Sequence, residues 1–323
     1  MPPPDAFGRR VNTFIRASEV WVPSADRTML EFGGGLYGEA TRFAALSRTL
    51  CFGRGEGLPG QAWEQGRPLV LKTFDNSYFR RTAAAHAEGI TCGIAVPIYA
   101  GDFLTSVLVI FCGDDAAHAG AIELWRNDPE QSADMTLDDG YYGTTADTFE
   151  FISRRTTFRR GSGLPGLAWE SGLPVFFEDL GHSARFLRAD DARKVGINRG
   201  FALPCPIRGN EHYVLAFLSA LNTPIARRFE VWKPDPARAR MRLDGGFCEA
   251  GGLLTRAPEH LGLDRGQGTI GKVFLTGVPA VSDNAGSEPG GYGAVAAELG
   301  LESLLAVPVI QQGRLVAAVA WYF

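Results

Sequence analysis

The 323-residue chain is 45% hydrophobic and 21% charged with a net charge of −4, a globular balance with apolar mass for two or three cores. This mild acidity gives no electrostatic footprint for nucleic acid or an anionic membrane, and the arginine pairs (Arg9-Arg10, Arg80-Arg81, Arg154-Arg155, Arg159-Arg160, Arg227-Arg228) are scattered among acids. The opening residues MPPPDAFGRRVNTFIRA hold no apolar signal core and no apolar run reaches membrane-spanning length, so a cytoplasmic protein is expected, and five irregularly spaced cysteines fit reduced thiols.

From the N-terminus, ASEVWV reads as a strand and TMLEFGG as a second. GEATRFAALSR is a short amphipathic helix, and TLCFGRG a further strand. LPGQAWEQG makes a helix of about two turns, with Pro59 near its first position and Gly66 stopping it. PLVLKTF is a buried strand begun by a proline, and a second helix is expected over 78–88. CGIAVPI and SVLVIFC, joined by a short turn, form an antiparallel hairpin. The sum is an α+β unit: an antiparallel sheet of five or six strands with short helices on one side.

The same order of elements then recurs. Trp21, Trp125 and Trp232 sit in EVWVP, ELWRN and EVWKP, and GEGLPGQAWEQGRP (55–68) returns as GSGLPGLAWESGLP (161–174) and GQGTIGKVFLTGVP (266–279). Gly57, Gly163 and Gly268 mark equivalent points of that phrase; Gly89, Gly196 and Gly300, then Pro97, Pro204 and Pro308, mark the end of each unit. A period near 105 residues is a domain, not a solenoid repeat, and the expected domains are 14–113, 118–220 and 225–323. Second helices are expected at 185–195 and 291–299.

The pattern GxGLPGxAWExGxP, then a strand ending in an acid, then RADDARKVGI, then a proline-containing hairpin, resembles the GAF domain. The second copy carries it most fully, in Leu164-Pro165-Gly166, Trp169, Asp179, Arg188-Ala189, Gly196-Ile197 and Pro204. The first keeps Leu58-Pro59-Gly60, Trp63, Arg81, Gly89-Ile90 and Pro97, whereas the third departs, with Thr269-Ile270-Gly271 and with Tyr292 where the arginine falls. The resemblance implies three tandem GAF-like domains forming a non-catalytic small-molecule sensor that signals through a separate protein in trans, with a homodimer as an option. It names no cofactor: Cys92 is followed by Gly93, not by the histidine of a tetrapyrrole attachment pair.

A pocket between sheet and helices would be lined by Trp169, Phe177, Asp179, His182, Phe186 and Arg188 in the second copy, and by Trp63, Asp75, Tyr78, Phe79, Arg81 and His86 in the first. Aromatic walls with one acid and one arginine suit a flat or zwitterionic metabolite. The alternative is that the aromatics fill a core and the arginine and acid form a structural ion pair. Arg188 is expected on the covering helix, answered by Asp179 or by a ligand anion. In the third copy Asp283, Asn284 and Tyr292 offer a lid or merely a loop. His86, His118, His182, His212 and His260 have no metal-ligand spacing.

Free-methionine sulfoxide reductases look like GAF domains with reactive cysteines, and that resemblance makes Cys92 and Cys112 an alternative catalytic pair. With a hairpin turn centred near Gly101-Asp102 the two fall opposite each other, and a one-residue slip would part them. A scaffold whose pockets are filled by its own side chains is the third reading.

Overall fold

A computed structural model describes residues 13–113, 120–143, 146–183, 185–220, 223–235, 237, 239–255 and 261–323. The expected start of the second domain at 118, Arg9-Arg10, His118 and His260 lie outside the described residues.

The first unit runs β1 (Ile15–Pro23), β2 (Met29–Leu36), α1 (Thr41–Ser47), β3 (Cys51–Gly53), α2 (Gly57–Gln65), β4 (Leu69–Leu71), α3 (Thr82–Ala87), β5 (Cys92–Ala100) and β6 (Phe103–Cys112). The second runs β7 (Gly120–Asn127), β8 (Thr136–Tyr141), α4 (Ala146–Ser153), α5 (Gly163–Ser171), β9 (Val175–Phe177), α6 (Ala189–Lys194), β10 (Arg199–Cys205) and β11 (His212–Ser219). The third runs β12 (Arg228–Asp235), β13 (Arg240–Cys248), β14 (Gly252–Leu254), β15 (Leu263–Asp264), α7 (Gly268–Thr276), β16 (Ala280–Ser282), α8 (Tyr292–Glu298), β17 (Leu304–Gln311) and β18 (Arg314–Tyr322).

Each unit is one antiparallel sheet, and the strand orders correspond: β3-β2-β1-β6-β5-β4, then β8-β7-β11-β10-β9, then β14-β13-β12-β18-β17-β16 with β15 on β13. The α+β class therefore holds, but the third sheet has seven strands rather than five or six. In the second unit the segment equivalent to TLCFGRG, TTFRRG (156–161), makes only an isolated bridge, Met135 to Phe158, so that sheet stops at five.

The GxGLPG phrase is a strand-to-helix corner in which the backbone comes too close for side chains. Gly163 has φ 64°, and a Cβ on it would lie 2.4 Å from the Phe158 ring; a Cβ on Gly166 would lie 2.2 Å from the Arg159 carbonyl oxygen. Gly57 and Gly268 repeat the left-handed backbone, at φ 59° and 62°.

Strands β5, β6, β10, β11 and β17 are buried on nearly every residue because both faces of each sheet are covered. On β6 the alternation is clean: Val107, Val109 and Phe111 face the helices of their own unit, while Leu108, Ile110 and Cys112 face a core shared by all three sheets. That shared core also takes Phe201, Leu203 and Phe217 from the second sheet and Leu305, Val307 and Val319 from the third. The sheets close on it head to tail. Strand β4 meets β8 through the ion pairs Arg67–Asp138 (2.9 Å) and Lys72–Asp139 (2.5 Å). Phe176 of β9 meets Phe247 of β13 with ring centroids 5.0 Å apart. Strand β16 meets β2, where Val281 approaches Gly34.

Replacing Gly163 by valine is expected to cost about 1–3 kcal/mol for the left-handed backbone alone, with the Phe158 overlap added. Gly196→Ala, at φ 78° with nothing within 4 Å of the added Cβ, isolates the backbone part. Urea midpoints of the two variants test this; a Gly163→Val midpoint no lower than that of Gly196→Ala contradicts the overlap.

Candidate functional site

The covering helices α3 and α6 have six residues each instead of the eleven expected, which relocates the arginines. Arg81 and Arg188 stand at the N-caps with φ −123° and −113°, off the helix, and their side chains turn back beneath it onto the sheet. Arg188 is 3% exposed and pairs in a fork with Glu123 of β7, at 2.5 Å from Nη1 to Oε1 and 2.8 Å from Nη2 to Oε2. Its Nη1 also donates to the Ser153 hydroxyl at the end of α4. Trp125 Nε1 donates to Glu123 Oε2 at 3.0 Å, and Tyr142 Oη to Oε1 at 3.0 Å. Phe149, Phe186, Trp125 and Phe158 surround the guanidinium with centroids 5.0–5.6 Å away.

The first unit builds the same cluster. Arg81, 4% exposed, forks onto Glu19 and donates to Ser47, while Trp21 Nε1 and Tyr37 Oη donate to the Glu19 carboxylate at 3.0 and 3.1 Å. In the third unit the acid persists and the distant arginine is gone. Trp232 Nε1 and Tyr322 Oη donate to Glu230, and Arg228 from the same strand supplies the charge. Tyr292 fills the vacated volume, its ring edge-on to Trp232 with centroids 4.8 Å apart.

The sequence offers Arg188 either Asp179 or a ligand anion; in the structure its partner is Glu123, within a buried aromatic environment. The missed residues are Glu19, Glu123 and Glu230, each two positions before the landmark tryptophan. On a strand, positions i and i+2 share a face, so an acid next to a fully buried tryptophan was the available signal. Asp179 lies at the surface, accepting from the Gly181 and His182 amides and facing His182 Nδ1 at 2.8 Å. The His182 hydrogen bond holds its carboxyl below the usual range. Asp75 is likewise exposed, 3.8 Å from His86 Nε2. Phe186 and Phe79 are buried with their arginines; Trp169, Phe177, Trp63 and Tyr78 are half-buried or exposed at the flanks. Asp283 and Asn284 are likewise surface residues, leading into a short 3-10 turn, Ala285–Ser287. The space between sheet and helices is therefore occupied by side chains. Among the described residues no three His, Cys, Asp or Glu side chains gather as a metal site.

Cys92 and Cys112 are cross-strand partners, both fully buried on the shared-core face. The turn alone would set them one residue out of step; a bulge between Ile98 and Tyr99 restores the register. Burial, with the neighbouring Cys92 thiol, pushes the Cys112 thiol well above its ordinary value, the opposite of what a nucleophilic thiolate requires.

The open space lies between units. A cleft of about 380 Å³ separates the first and third, walled by Arg16, Tyr37, Glu39, Arg227, Glu302 and Ser303. The corresponding ends of the other two junctions are bridged, by Thr91 Oγ1 and Tyr141 Oη at 2.9 Å and by Arg199 and Glu249 at 3.3 Å. Tyr37 belongs both to the cleft wall and to the buried Glu19 cluster.

No protein-family model matches the chain, and no curated protein matches it. Among solved structures it is similar to the GAF domain of A. aeolicus nlh2 in an inactive state (24% identity, 32% of this chain and 60% of that one, TM-score 0.26). It is also similar to an NreA protein from Staphylococcus aureus mutated in its nitrate-binding site (16%, 33% and 78%, TM-score 0.27). A third is the free methionine-R-sulfoxide reductase of Neisseria meningitidis with its substrate (17%, 32% and 53%, TM-score 0.24). The chain spans 60% and 56% of the first two GAF structures matched.

Two outcomes follow. Arg188→Ala leaves Glu123 charged and buried, and is expected to lose roughly 3–5 kcal/mol in a denaturation series; an unchanged midpoint contradicts the pairing. Burial raises the Glu123 carboxyl, but Arg188, Ser153 and Trp125 together outweigh it and hold the group below its ordinary 4.5. The sign is then fixed: its stabilisation is complete above pH 4.5 and is lost as pH falls through the lower folded value. The stability gap between wild type and Glu123→Gln should narrow over that acid range, and a gap independent of pH there would refute it.

Proposed function

We propose that the chain is a non-catalytic regulatory protein of GAF-like units, binding a small polar molecule in the cleft between its first and third units. The observation that carries this reading is the cleft itself: about 380 Å³, with acidic and basic side chains on its walls, and sharing Tyr37 with a buried ion-pair cluster. Walls of mixed charge suit a zwitterionic metabolite. A ligand touching Tyr37 bears on the hydrogen bond from its hydroxyl to Glu19, and so on the fork holding Arg81 beneath α3. The bound state would then differ in affinity for a separate partner protein, which provides the output. Support for the GAF assignment comes from the GxGLPGxAWExGxP phrase and the α+β sheets.

Burial of Cys92 and Cys112 disfavours the thiol-enzyme alternative. Five free thiols with Cys51 alone exposed predict one fast equivalent with a disulfide reagent on the native protein, and five after denaturation. Prompt native reaction of Cys92 or Cys112 would revive the enzyme. The internal ion pairs of Arg81 with Glu19 and of Arg188 with Glu123 favour a second reading, a ligand-free scaffold.

A metabolite screen by thermal shift on wild type and Ser303→Trp, which fills the cleft, separates them. Hits are expected to stabilise wild type by about 2.7 kcal/mol at a hundredfold excess over Kd and to leave Ser303→Trp unmoved. Equal stabilisation of both proteins removes the cleft; no hit, and no copurifying molecule by native mass spectrometry, leaves the scaffold.

A further inference from the structure

The strand registers align one rung of side chains across each sheet on its shared-core face. In the first unit it reads Val70, Ile94, Ile110, Ser18, Leu36; in the second, Phe176, Phe201, Phe217, Ile122, Tyr141; in the third, Val281, Leu305, Trp321, Phe229, Phe247. Aromatic residues concentrate where the second rung meets the third. Phe176 to Phe229 is 4.5 Å between centroids, Phe201 to Phe229 5.3 Å and Phe201 to Trp321 5.4 Å.

Beside this aromatic contact the three junctions differ at one position. Asp139, Gly245 and Gly34 are equivalent, paired opposite Leu124, Val231 and Val20. Asp139 plugs the first junction with its ion pair to Lys72, and Val281 covers Gly34 at the third. At the second, Phe176 packs against Phe229 and Phe247 and leaves Gly245 bare. The result is a groove of about 220 Å³ floored by Phe176, Phe201, Phe229 and Val231. The balanced pair Lys233–Asp244 (2.7 Å) stands on its rim, with Leu253 at 65% exposure opposite. The groove shares Phe176, Phe201 and Phe229 with a narrow crevice whose wall includes Trp321, and the Trp321 Nε1–H is buried with no partner among the described residues.

We propose that this groove is a second binding site, separate from the cleft, for a compact, uncharged, planar aromatic molecule. The ring lies on the phenylalanine floor. No net charge is called for, because the rim cation already has its anion.

Coumarin serves as the probe, by isothermal titration calorimetry on the full chain. Gly245→Trp fills the groove without backbone strain: the glycine is outside the left-handed region, and its added Cβ meets only the Leu254 carbonyl at 3.4 Å. Wild type is expected to show one saturable site, and Gly245→Trp about tenfold or greater weakening with an unchanged melting temperature. Leu253→Arg, at the exposed rim and outside the core, weakens binding in the same direction should the tryptophan variant not fold. Ser303→Trp binds as wild type does. Absence of saturable binding to wild type, or equal binding by wild type and both groove variants, overturns the site. Loss confined to Ser303→Trp moves the probe to the cleft and equally overturns it.

Discussion

An antiparallel sheet that carries its helices on one side has a second apolar side to bury, and in this chain three sheets bury it on one another. Everything else in the architecture follows from that closure. It makes β5, β6, β10, β11 and β17 apolar on both faces, places Cys92 and Cys112 in the shared core, and turns the edges of the sheets into junctions. The helices are left to cover only the outer faces, and each does so over a separate core.

The outer cores are organised around an acid. A carboxylate on the first strand of each unit collects the indole N–H of its tryptophan neighbour and a tyrosine hydroxyl. In two units it also takes an arginine that reaches in from the N-cap of a short helix. Such a pair adds little net stability against an apolar replacement of the same volume, but it is directional. It sets where α3 and α6 begin, because the arginine must leave the helix to make the fork. In the third unit, where the charge comes from Arg228 on the same strand, the helix α8 is freed of that constraint and Tyr292 packs in its place.

Much of this was legible before any coordinates. Glycine and proline spacing located the corners, since at Gly163 and Gly166 only a residue without Cβ fits. Apolar alternation located the hairpins, and Cys92 was matched to Cys112, though the agreement depends on a bulge at Ile98/Tyr99 that no turn rule supplies. The buried acids were not legible as such: a glutamate within a strand reads as solvent-facing until a partner from 65 residues away is known to cover it. Nor was the closure. A run such as SVLVIFC says that both faces of a strand are covered and leaves open by what. The open spaces lie at junctions between units, and a pattern read within one repeat cannot reach them.

The linkage of three units in one chain has a consequence for what the ring can become. Three identical subunits closing in the same way would carry the same residue at all three junctions, so any opening made at one would be made at every one. A single chain is released from that symmetry. Ser18, Ile122 and Phe229 occupy one position in three registers, and each was free to be chosen for its own seam. One seam could be bolted by ion pairs, another lined with aromatic rings and a third left ajar, while the common centre that holds them stayed the same.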